Sequence, residues 1–159
     1  NLAACGGVMA AGIITRLNFG KTDVIQMLNG AIGGLVAITA EPLMPSPLAA
    51  ILIGGVGGII VVYGTKFLLS MKIDDVVGAI PAHLFAGIWG TLAVPITNSG
   101  AKFGTQLLGV IAINGTVFVV SLIIWAIMKN TIGIRLSKEG ETKGTDVTET
   151  GVIAYAIRD

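Results

Sequence analysis

Charge is scarce in this chain. Of 159 residues only 12% are Asp, Glu, Lys or Arg, about half of the roughly 25% carried by soluble domains. Histidine and cysteine occur once each, as His83 and Cys5. One cysteine excludes an internal disulfide and a multi-cysteine metal site. Cys5 therefore reads as a small apolar packing residue. The net charge of +1 gives no basic excess of the kind that holds nucleic acid. No residue is assigned a catalytic role, and neither a metal nor a cofactor is expected, so the chain reads as something other than an enzyme. The chain opens on Asn1 and runs directly into apolar residues. It has no basic leading region and no cleavage-like site, so this is not a signal peptide; the expectation is that the start is a truncation.

What the chain has is apolar residue in quantity. Hydrophobic residues make up 53% and the mean hydropathy is +0.88, more than a water-soluble core can hide. The fold class expected is an all-α membrane protein, a polytopic helical bundle. A span needs about 20 mainly apolar residues, and five segments qualify or nearly so. They cover about 1–17, 24–40, 47–70, 75–95 and 103–130, inside a transmembrane region of 1–135, with 136–159 as a polar tail. The run "EPLMPSP" ends the second span, because its prolines forbid helix continuation. Glycine is abundant, with 23 residues, and "NGAIGG" (Asn29 to Gly34) and "GGVGG" (Gly54 to Gly58) place small residues on one helix face. In a membrane such faces let helices approach closely. Five alternating spans sort Arg16, Lys21, Lys66, Lys72, Lys129 and Arg135 to one side and Lys102 to the other. The first side, and the tail, should be cytoplasmic.

The segment "DDVVGAIPAHLFAGIWG", Asp74 to Gly90, holds the only histidine. If a helix starts near Asp75, His83 lies eight residues in, roughly 12 Å deep in a ~30 Å core. Ionisable groups there face a bundle interior or a cavity. Imidazole is the cheapest of them to bury, since it can be neutral near physiological pH. Ala79, Ala82, Ala86, Gly87 and Gly90 should leave space around the ring, and Pro81 frees a backbone carbonyl one turn earlier. Ala79 and Gly87 are the candidates beside a passage. Asp74 and Asp75 read as carboxylates capping the helix start, or else as part of a mouth. Three readings of His83 remain open on local grounds: a structural histidine bonded to a neighbouring helix, a haem ligand, or a pore-lining and proton-relay residue. Haem in membrane subunits usually needs paired histidines. Asn114 reads as an interhelical hydrogen bond, Trp89 and Tyr63 as packing, Trp125 as an interfacial anchor and Glu41 as a solvated loop charge.

"DDVVGAIPAHLFAGIWGTLAV" resembles a late transmembrane helix of the ammonium transporter family (Amt/Mep/Rh), in its bacterial branch. "NGAIGGLVAITA" resembles another helix of that family, and "GTDVTETGVIAY" its C-terminal pattern, on which Gly144, Asp146, Gly151, Ala154 and Tyr155 fall. The three matches run in order over nearly the whole chain. The resemblance implies the last five of eleven spans, a homotrimer with one narrow apolar pore per subunit, and two stacked pore histidines of which His83 matches the second. It implies ammonium or ammonia as substrate: ammonium sheds a proton and crosses as ammonia past the histidines. It also implies a multi-pass protein of the cell (inner) membrane, a lipid bilayer around it, and a PII-type regulatory protein at the cytoplasmic face. The tail departs from the family pattern at Thr150, where a histidine is frequent, and in "VIAYAIRD", which runs past the usual ending. That ending motivates the alternative reading, an ammonium sensor with an Amt-like membrane domain.

Overall fold

A computed structural model describes residues 1–154. The described residues divide into two compact units, one over Asn1–Ile113 and one from Asn114 onward.

In the first unit α1 (Leu2–Phe19), α2 (Val24–Ile38) and α3 (Pro47–Ser70) pack through glycine. A Cβ on Gly7 would overlap the carbonyl of Gly30, one on Gly34 the carbonyl of Ala3, and one on Gly58 the carbonyl of Gly7. On the α2–α3 face a Cβ on Gly33 would stand 2.6 Å from Val61 Cγ2, and Val61 is fully buried. Lipid tails are as apolar as leucine, so van der Waals contact between close backbones, and not apolar burial, holds such helices together. The pairings run 3 with 34 and 7 with 30 between α1 and α2, but 3 with 54 and 7 with 58 between α1 and α3. Adjacent helices are therefore antiparallel, and α1 and α3 point the same way.

The caps are local. Asp23 accepts a hydrogen bond from the Gln26 N–H at 3.0 Å and starts α2. Ser46 accepts from the Ala49 N–H at 3.2 Å, with Pro47 at the first helical position of α3. Thr15 is buried and gives its hydroxyl to the Ala11 carbonyl at 2.8 Å. Cys5 is exposed, because the helical period turns Ala3, Gly6 and Gly7 inward instead.

The fourth span, Ile80–Thr97, is composite. Its first part, Ile80–Phe85, is π-helical, and α4 follows over Ala86–Thr97. It therefore begins about five residues later than the apolar pattern suggests. Ala86, Gly90, Ala93 and Val94 are buried, and Gly90 packs against the backbone of Ala37. Ala82, Ala86 and Gly90, expected to leave room around the histidine, are instead spent on helix contact. Trp89 gives its indole N–H to the Ile53 carbonyl at 3.0 Å, a packing role with a polar tie. Glu41 is not simply a solvated charge: its Oε2 accepts from Asn98 Nδ2 at 3.0 Å, joining the α2–α3 loop to the end of α4.

The helix α5 (Phe103–Thr131) is the most apolar, with a mean hydropathy of 2.5 over its best 18 residues, and none of its residues is buried. The boundary between the units falls within it and not after residue 135. Composition marks where the chain turns polar, whereas packing marks where it holds together, and the two need not coincide. In the second unit a short helix, α6 (Lys138–Lys143), is followed by a π-helical turn at Asp146–Thr150. Four of the described helices are long and apolar enough to cross a membrane; α2, with 15 residues, is shorter.

Candidate functional site

Pro81 has no amide hydrogen, so the carbonyl four residues earlier, on Val77, has no helical donor. Asn29 supplies one. Its Nδ2 donates to the Val77 carbonyl at 2.8 Å, reaching across from α2, where Asn29 is buried. The next residue, Gly78, is buried and has φ +73°. A Cβ there would lie 2.6 Å from Asn29 Nδ2 as well as in the left-handed region. Glycine is needed at 78 on both counts. Asp75 then closes the helix start: its Oδ1 accepts from the Ala79 N–H at 2.9 Å and its Oδ2 from the Ile80 N–H at 2.8 Å. Asp74 is exposed.

The π-helical turn that follows seats Pro81 and Ala82 inward and leaves His83 and Leu84 exposed. Gly64 of α3 makes the seat, since a Cβ there would come within 2.8 Å of Phe85 Cδ2 and 3.0 Å of Pro81 Cβ. The two residues bracketing His83 thus rest on one glycine, six positions before the end of α3 at Ser70. At about 1.5 Å per residue that is ~9 Å along α3, somewhat shallower than the 12 Å reckoned from a helix starting at Asp75. Ala79, one helical turn before His83, is exposed, while Gly87 is half-buried close to Val36. Among the described residues, none buries His83, which stays exposed.

The tail residues come together in the second unit. Ser137 caps α6 by accepting from the Gly140 N–H at 3.1 Å. Arg135 and Glu141 form a two-pronged ion pair, Nε to Oε1 at 2.5 Å and Nη2 to Oε2 at 3.1 Å. The hydrogen bond from Arg135 holds the Glu141 carboxyl below its ordinary value. Asp146 Oδ2 accepts from the Ala154 N–H at 2.8 Å. That bond, with one from the Val147 N–H, lowers the Asp146 pKa. Gly144 (φ +101°) and Gly151 (φ +68°) take the turns on either side. Tyr155 lies outside the described residues.

The Ammonium Transporter Family profile matches residues 1–155. The chain belongs to this family. Ammonium transporter Amt2 of Archaeoglobus fulgidus is 40% identical over 98% of this chain and 37% of its own length. An ammonium transporter of Bacillus subtilis is 30% identical over 98% of this chain and 42% of its own. A solved structure titled "Sensor Amt Protein" superposes with a TM-score of 0.87 at 30% identity, over 94% of this chain and 40% of that one. The chain spans about two-fifths of the length of these family members, and it shares their all-α, multi-pass membrane fold.

His83 stands out in the sequence as the only histidine, set in an apolar segment, and the resemblance points to it as well; the π-helical turn and the tie from Asn29 do not stand out in this way. Asn29 leaves a partial signal: a proline that orphans a carbonyl, and one of the two amide side chains, with Gln26, in an otherwise apolar helix.

Proposed function

We propose that this chain is the C-terminal part of an ammonium transporter and that His83 lines its conduction path. The observation that carries the reading is an imidazole at the exposed surface of an apolar helix, on a turn held by three separate fixtures: Asp75, Asn29 and Gly64. A polar ring on an apolar helix within a membrane is costly against lipid. A narrow lumen, completed by parts of the transporter beyond this chain, removes that cost.

The chemistry follows from solvation. A bare cation in an apolar pore loses several kcal/mol or more of hydration, whereas neutral ammonia loses far less. Ammonium can shed its proton before the constriction and cross as ammonia, with an imidazole nitrogen replacing one lost water. Potassium has no proton to shed, so the same pore rejects it. In this reading Arg16, Lys21, Lys66 and Lys72 face the cytoplasm, as does the tail, and the complete protein sits in the cell membrane as a homotrimer. A PII-type protein docking at the tail belongs to the same reading. The sensor alternative shares the membrane domain and differs only in output.

The test is methylammonium uptake by the complete transporter carrying His83→Ala, with potassium as competitor. The expected result is altered transport or weakened rejection of potassium. Uptake and selectivity equal to the parent protein would remove His83 from the path.

A further inference from the structure

We propose that Asn29 is a positioning residue for His83: it takes the carbonyl that Pro81 leaves without a helical donor, and so fixes the turn from which the histidine-bearing segment springs. The inference rests on the reading of His83 as a conduction-path residue. Its own support is a chain of contacts. Asn29 is a buried polar side chain in α2, and its Nδ2 donates to the Val77 carbonyl at 2.8 Å. Gly78, next in sequence, lies directly beneath that amide. The Gly78 carbonyl accepts from the Ala82 N–H at 3.2 Å, and Ala82 precedes His83. Asp75 holds the same start from the other side, through the Ala79 and Ile80 amides.

The π-helical turn gives this tie its consequence. A π-turn holds one residue more than an α-turn and is an inserted feature that relaxes unless its surroundings hold it. If the Val77 carbonyl loses its partner, a part-buried acceptor is left without its donor. The turn then rearranges to satisfy it, and the azimuth of His83 moves with it. The Asn29 side chain bonds a backbone carbonyl six residues before His83, so its effect on the ring runs through the backbone.

The experiment uses the complete transporter in cells, with uptake normalised to protein in the membrane. Asn29→Asp is nearly isosteric but puts a carboxylate against the Val77 carbonyl, and Asn29→Ala removes the contact. Asn29→Gln keeps an amide donor. Methylammonium uptake is measured against external pH and against potassium, alongside His83→Ala. The Asp and Ala variants are expected to lose roughly tenfold to a hundredfold in transport, the scale of a misplacement of about 1 Å. They should also change the pH profile and potassium discrimination in the direction of His83→Ala, with Asn29→Gln closer to the parent. Asp or Ala variants present in the membrane with parental pH profile and selectivity would overturn the inference. So would loss of both from the membrane, which would assign Asn29 to folding. If His83→Ala alone behaves as the parent, the conduction-path reading fails first, and the positioning role fails with it.

Discussion

At the scale of single residues, glycines side by side in α3 do different work. Gly54 lies directly against the backbone of Ala3, so a Cβ there has no flexible atom to push aside. Gly55 has only the Gly6 carbonyl at 3.7 Å and the Ala10 Cβ at 4.0 Å, ordinary van der Waals contact. Gly54→Ala should therefore force α1 and α3 apart, at a cost of about 1–3 kcal/mol, the range for overpacking. Gly55→Ala should be neutral or slightly stabilising, since alanine is the better helix former by about 1 kcal/mol. Thermal unfolding of the purified protein in detergent checks the pair. Equal midpoints would mean that the helices do not meet at Gly54. Residue type alone could not separate them: "GGVGG" marks a small face, but which glycine sits at the seam depends on the helix opposite.

The elements show where the sequence was legible and where it was not. Apolar length and proline placed α1, α3 and α5 closely, because span length and chain breaking are local properties. The start of the fourth span was misread. Asp75 does act as a cap, but it caps across a left-handed glycine at 78, so the helix opens at Ile80. The partner that permits this, Asn29, is 48 residues away in sequence, and no local pattern pairs it with Val77. The tail offers a test of the same kind. Asp146 has its pKa lowered chiefly by the Ala154 N–H. A depressed carboxyl stabilises the fold above its unfolded pKa, and that contribution is lost as pH falls through the folded value. Protection of the Ala154 amide from hydrogen exchange should therefore hold at neutral pH and fall on acidification through and below the usual carboxylate range. Asp146→Asn should flatten that dependence. A protection factor that ignores pH in the parent protein would mean the carboxylate does not hold this turn.

For the molecule as a whole, the question is how α2 can cross a membrane. Its 15 residues span only about 22 Å at 1.5 Å each, against a hydrocarbon core of ~30 Å. Yet α2 runs antiparallel beside α1 and α3, in backbone contact at Gly30, Gly33 and Gly34, so wherever those helices cross it must pass alongside. The shortfall falls at its end, where residues 39–45 continue without helix and the prolines forbid it. The Glu41–Asn98 hydrogen bond ties this stretch to the end of α4. The consequence is a sidedness that can be measured. Leu43 is 89% exposed, in the loop after α2, and Lys72 is exposed after α3. In a background free of cysteine, including Cys5→Ala, an impermeant maleimide should label Leu43→Cys in intact cells. It should label Lys72→Cys only after permeabilisation, as the four basic residues at that end require. Labelling of both from the same side would mean that α3 does not cross, and the alternation of all the helices packed on it would fall with it.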